Sequence, residues 1–133
     1  MGLLDKFFAK KNGLDTRYYR NGQKKGKATF KNGKLEGLVT TWFENGHKES
    51  EYNYKNDKLD GLWTVWNEAG MKASEGNWKG GKQTGVWTYW NKNGTKESEG
   101  HWKEGKQDGL STYWDKEGNV TKTETYKNDE LVT

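Results

Sequence analysis

A 24-residue period runs through this chain and constrains its fold more than any other feature. The phrases Gly61-Leu62-Trp63-Thr64-Val65-Trp66 and Gly85-Val86-Trp87-Thr88-Tyr89-Trp90 lie 24 residues apart. Carrying that offset both ways gives five units without a gap: Lys10–Gly33, Lys34–Asp57, Lys58–Gly81, Lys82–Gly105 and Lys106–Asp129. Glu130–Thr133 begins a sixth. In every unit position 1 is Lys, position 4 Gly, position 7 Thr, position 9 aromatic, position 13 Gly, position 21 aromatic and position 22 Lys. Such regularity arises when each unit packs on its neighbours in the same way.

Within a unit, positions 5, 7 and 9 read Leu or Val, Thr, aromatic, a period of two in β-favouring residues. Triplets such as Glu44-Asn45-Gly46 and Lys92-Asn93-Gly94 follow. They suit a three-residue hairpin loop that ends on a left-handed Gly. Positions 15 to 21 make the return strand, and positions 22 to 24 a second turn. Each unit therefore reads as one β-hairpin, and the chain as an all-β meander of about ten strands.

If position 9 pairs with position 15, then positions 5, 7, 9, 17, 19 and 21 share a face, aromatic with Thr, Ser and Gly between. That register sets Asp15 opposite Lys27 and Val65 opposite Ala73. Positions 16, 18 and 20 then form a polar face that includes the acidic row Glu51, Glu75 and Glu99.

An array must protect its end strands. Residues 1–9 break the repeat, and Leu3, Leu4, Phe7 and Phe8 fall on one stripe of a short helix. The sequence thus divides into an N-terminal amphipathic cap, 1–9, and the hairpin array, 10–133. The cap is expected to lie over the sheet's first edge. The alternative is a membrane-surface anchor. Unit 1 carries Lys10, Lys11, Arg17, Arg20, Lys24, Lys25, Lys27 and Lys31 against Asp15 alone, and the net charge of the chain is +4. Basic charge beside an apolar stripe suits an anionic lipid surface, with Leu3, Leu4, Phe7, Phe8, Lys10, Lys11, Arg17 and Arg20 in contact. Gly2 is not expected to be myristoylated, because Lys6 stands where the motif wants Ser or Thr.

Composition narrows the function. There is no Cys, so no disulfide framework and no thiolate metal site. No apolar run reaches the ~18 residues of a membrane span, and Met1–Ala9 lacks the pattern of a secretory signal. A cytoplasmic protein is expected, peripheral to the membrane if the N-terminal stripe binds lipid. His47 and His101 occupy different columns two units apart, which speaks against a triad or a two-His metal site. Ser50, Ser74 and Ser98 recur as small packing residues. No enzyme activity, metal or cofactor is expected. Nucleic acid is not an expected partner either, because the basic charge is confined to unit 1 while a binding track along the sheet should stay basic.

The repeat resembles the MORN-repeat variant of bacterial proteins: a Gly, an aromatic strand, an Asn-Gly turn, a second strand ending in an aromatic, and a Lys-Asn-Gly turn. Gly85-Val86-Trp87-Thr88-Tyr89-Trp90-Asn91-Lys92-Asn93-Gly94 carries the likeness most fully. The resemblance spans residues 10–129 and implies a MORN-like single-layer twisted sheet. It is similar in particular to the YwqK-type group described as antitoxin or immunity components. That implies a non-catalytic module sequestering one protein partner, a toxin among the candidates.

The columns that vary point to where a partner would sit. Phe43, Trp63, Val65, Trp87, Tyr89 and Tyr113 fall at positions 6, 8 and 10, on what the expected register makes the polar face. An apolar and aromatic patch rimmed by charge marks a protein interface, and the Glu row would steer a basic partner. The competing reading is that the sheet rolls so both faces are partly buried, or that a second copy covers the patch.

Overall fold

A computed structural model describes residues 12–133. They form one antiparallel sheet in which each strand pairs with its neighbours in sequence. The outgoing strands are Gly13–Tyr18, Gly37–Trp42, Lys58–Trp66, Lys82–Trp90 and Gly109–Trp114. The return strands are Lys24–Lys31, Lys48–Lys55, Lys72–Lys79, Lys96–Lys103 and Val120–Lys127. Short strands Lys34–Leu35 and Lys106–Gln107 precede the outgoing strands of units 2 and 5, and Glu130–Leu131 ends the sheet. The capping helix expected over residues 2–9 lies outside the described residues.

The two turns use different chemistry. In the hairpin turn of unit 2, Gly46 N–H donates to Phe43 O at 3.0 Å and Phe43 N–H to His47 O at 2.9 Å. These bonds enclose the expected three-residue loop, and Gly46 takes φ 92°. The turns between units hold two successive residues at positive φ, as Asn56 at 50° and Asp57 at 67°. This is the primed two-residue turn that matches strand twist. Asp offsets the strain of that conformation with a hydrogen bond: Asp57 Oδ1 accepts from Leu35 N–H at 2.6 Å, and Asp129 Oδ1 from Gln107 N–H at 2.7 Å.

The register differs from the expectation by one residue over most of each hairpin. Position 9 does pair with position 15, as Trp42 with Lys48 and Trp66 with Lys72. Position 8 then faces position 17, and position 16 is the extra residue of a β-bulge. Asp15 therefore faces Ala28 rather than Lys27, and Val65 faces Ser74 rather than Ala73. A one-residue slip moves every side chain beyond it to the other face. Positions 6, 8, 17, 19 and 21 share one face, the aromatic face. Positions 5, 7, 9, 15 and 18 share the other. The Leu and Val of position 5 thus stand outside, with Leu38 49% and Leu62 47% exposed.

A second bulge lies between units. Tyr52 faces Trp63 and Tyr54 faces Leu59, so residues 60–62 oppose Asn53 alone. Gly61 sits in the middle of them at φ 110°, where a side chain would also crowd Asn53 Cβ. This conformation accounts for Gly at position 4 of the unit. The tightest packing is on the aromatic face of units 1 and 2, where Ala28, Phe30, Leu35 and Val39 form a buried cluster with Tyr54 against it.

Candidate protein-interaction face

One row of the aromatic face crosses the sheet through positions 6 and 19, running Tyr52, Trp63, Gly76, Trp87, Gly100, Ser111. From Trp63 onward large rings alternate with Gly, and Trp87 occupies the space that Gly76, without a side chain, leaves beneath it. Trp63 stacks on Tyr52 with centroids 5.5 Å apart and planes 5° apart. Trp87 tilts onto Trp63 at 5.1 Å and meets Trp78 edge-on at 5.5 Å and 88°. Its ring lies flat over Gly76, where a Cβ would stand 2.1 Å from Trp87 Cδ2. Its Nε1–H donates to Asn77 O at 3.2 Å.

Five of the six expected contact residues, Trp63, Val65, Trp87, Tyr89 and Tyr113, are brought together on this face; Phe43 stands apart, half-buried at the start of a hairpin turn. Their placement on a polar face is overturned by the bulge. Trp87 is core, with 2% of its surface exposed, so it is no free-standing anchor. Trp63 and Val65 are half-buried. Tyr89 is 38% exposed and its phenol is raised above the ordinary tyrosine range by burial. Tyr113 is raised by burial first and by Glu124 next, and the Lys122 ammonium sits 4.6 Å from its ring centroid. The sequence reading missed Tyr52, Trp78 and Trp102 as members of the same face. The signal that reveals them is the pairing of Trp63 with Gly76 and of Trp87 with Gly100.

The opposite face carries a ladder of charge and indole. Lys48 lies 5.8 Å over Trp66, Lys72 5.9 Å over Trp90 and Lys96 5.6 Å over Trp114. The same lysines pair with Glu51, Glu75 and Glu99 at 2.9, 2.9 and 3.1 Å. Thr64 and Thr88 hydroxyls donate to Glu75 and Glu99. Each acid is thereby paired with a cation three residues before it, so the Glu row expected to steer a basic partner carries its own counter-charges.

Of the expected membrane-contact residues, Leu3, Leu4, Phe7, Phe8, Lys10 and Lys11 lie outside the described residues. Arg20 is exposed in a turn, whereas Arg17 falls on the aromatic face and is half-buried, its Nε 3.6 Å from Asp15 Oδ2. His101 Nδ1 is 2.7 Å from Leu110 O of the next hairpin. Among the described residues no group of three or more His, Cys, Asp or Glu could hold a metal ion. No helix among them is long and apolar enough to cross a membrane.

A meander of 24-residue hairpins with Gly at both bulge and turn defines a β-hairpin repeat protein. The MORN repeat variant matches residues 11–32, 35–56, 83–104 and 107–128, and the chain belongs to this family. MORN repeats are non-enzymatic modules, often ones that bind proteins or membranes. No curated protein matches the chain.

Proposed function

We propose that the protein is a non-catalytic module that binds one protein partner through the C-terminal part of its aromatic face. The observation that carries this reading is that the aromatic face is closed at its N-terminal end and open at its C-terminal end. In units 1 and 2 it holds Ala28, Phe30, Leu35 and Val39, all nearly fully buried. In units 4 and 5 Trp102, which occupies the column of Phe30, and Tyr89 and Tyr113 beside it keep surface in solvent. Half-buried aromatics on a rigid sheet lose little entropy on binding and are frequent hot spots. The resemblance to antitoxin and immunity components extends this to a cytoplasmic protein that sequesters its partner. The test is Tyr89→Ser with Tyr113→Ser. A stoichiometric partner captured by the wild type should be lost by this variant although it remains folded at the temperature of the assay, as its circular dichroism shows. Retained capture by a folded variant would overturn the reading.

A second reading is favoured by unit 1. There position 18 is Lys27, where units 2, 3 and 4 have Glu, and Lys24 stands beside it. With Leu14 and Leu38 these lysines border a hollow of about 400 Å³ whose lining also holds Glu36 and the Lys48–Glu51 pair. Basic groups around exposed aliphatic side chains suit an anionic membrane surface. Lys24→Glu with Lys27→Glu should abolish salt-sensitive binding to vesicles containing anionic lipid. Vesicle binding that is absent in the wild type, or unchanged in the variant, dismisses it.

A further inference from the structure

The rings of the central row all lean one way, toward unit 1. Trp63 lies on Tyr52, and Trp87 lies over Gly76. By the same rule position 6 of unit 5 should cover Gly100. That residue is Ser111, which is 4% exposed and too short to do so. A cavity of about 120 Å³ results, lined by Tyr89, Ser98, Gly100, Trp102, Ser111 and Tyr113, with Gln107 and Glu99 at its border.

Most of this wall repeats the wall one unit earlier. Ser98, Gly100, Trp102, Gln107 and Tyr113 correspond column for column to Ser74, Gly76, Trp78, Gln83 and Tyr89. In that earlier unit the position corresponding to Ser111 is Trp87, whose indole packs on Gly76 and Trp78. The chain thus contains both the filled and the unfilled form of one binding surface. The volume exceeds the ~30 Å³ share of a single water, and the hollow is open on one side, so a ring laid on Gly100 can leave one edge in solvent. An acceptor is present too. The carbonyl corresponding to Asn77 O is His101 O, which accepts Asp108 N–H at 2.9 Å and keeps a second lone pair.

We propose that the site above Gly100 is an indole slot that takes a tryptophan side chain presented by the protein partner. This rests on the protein-binding reading above and names the chemistry of the partner's anchor. The chain's own Trp87 is the template: a flat ring laid on a glycine, walled by a second Trp, its N–H aimed at the backbone carbonyl of the next residue along the return strand.

The probe is N-acetyl-tryptophanamide, titrated into the full-length protein and followed by amide NMR. Saturable shifts are expected at Gly100, Trp102, Ser111 and Tyr113, with N-acetyl-leucinamide producing none. Ser111→Trp supplies the missing ring from the chain itself, so it should raise the melting temperature and abolish the shifts. Gly100→Leu plugs the slot from the other wall and covers the case in which Ser111→Trp repacks. No saturable shift in the wild type, or shifts that persist in both plugged variants, would overturn the slot. The two failures are distinguishable. If Tyr89→Ser with Tyr113→Ser loses the partner while the wild type ignores the probe, the slot is wrong and the module reading stands. If the probe binds but neither the tyrosine variant nor the plugs alter partner capture, the partner does not use this face and both readings fall.

Discussion

Gly76 and Gly100 occupy the same position in successive units and should respond differently to the same substitution. A methyl group on Gly76 would stand within 2.1 to 2.6 Å of three carbons of the Trp87 ring. The ring cannot yield without losing Trp63 and Trp78 as neighbours. On Gly100 the same methyl meets only Ser111 Oγ, at 3.1 Å, and a hydroxyl can rotate away. Gly76→Ala should therefore cost about 1–3 kcal/mol by overpacking, and Gly100→Ala less than about 1 kcal/mol. Trp87→Ala should cost about 3–5 kcal/mol, the usual loss for a buried large aromatic. Urea unfolding of the three variants checks the order. Equal shifts for the two Ala variants would mean that Trp87 does not rest on Gly76 as described.

At the scale of the hairpin, the sequence shows the turns and hides the bulge. The turn Gly residues are legible because only they reach φ near 90° without strain. The bulged position carries Lys25, Glu49, Ala73, Glu97 and Thr121, a set with no common chemistry, so nothing marks the extra residue. Missing it reverses the faces, which is why Trp63 and Trp87 read as a surface patch. The complementary pair of Trp with Gly across the hairpin was the available clue. The turn between units offers a prediction at this scale. Asp57 holds φ 67° and its carboxylate accepts the Leu35 N–H. Asp57→Ala loses that bond and keeps the strained conformation, so it should destabilise by about 1–3 kcal/mol. Asp57→Gly loses the bond but adopts the conformation freely, and should recover part of the loss. Chemical denaturation of both decides it. An Asp57→Gly protein less stable than Asp57→Ala would mean that backbone conformation is not what this turn requires.

Over the whole molecule the repeat period alone specified a meander, while the candidate site depends on a unit that departs from its neighbours. Ser111 in place of Trp was visible in the sequence, but its meaning was not, because it depends on which face that column occupies. The sheet's long-range cohesion is largely aromatic, and that gives it a pH signature. Tyr52, Tyr54 and Tyr89 come from units 2 and 4, and burial raises each phenol above its ordinary value. For Tyr54 the neighbouring Tyr52 and Asp57 add to the effect. The folded chain therefore holds these protons more tightly than the unfolded chain does. Below the unfolded tyrosine value of about 10 both states are protonated and the stabilisation is fully present. As pH rises past that value the unfolded state releases protons first, so stability falls until the folded phenols also ionise. Urea midpoints measured from neutral pH to about pH 11 should decline through this window. Tyr52→Phe with Tyr54→Phe keeps every lysine and removes two of the phenols. Its alkaline decline should be shallower than that of the wild type. An equally steep decline in the double variant would assign the alkaline loss to groups outside these aromatic columns.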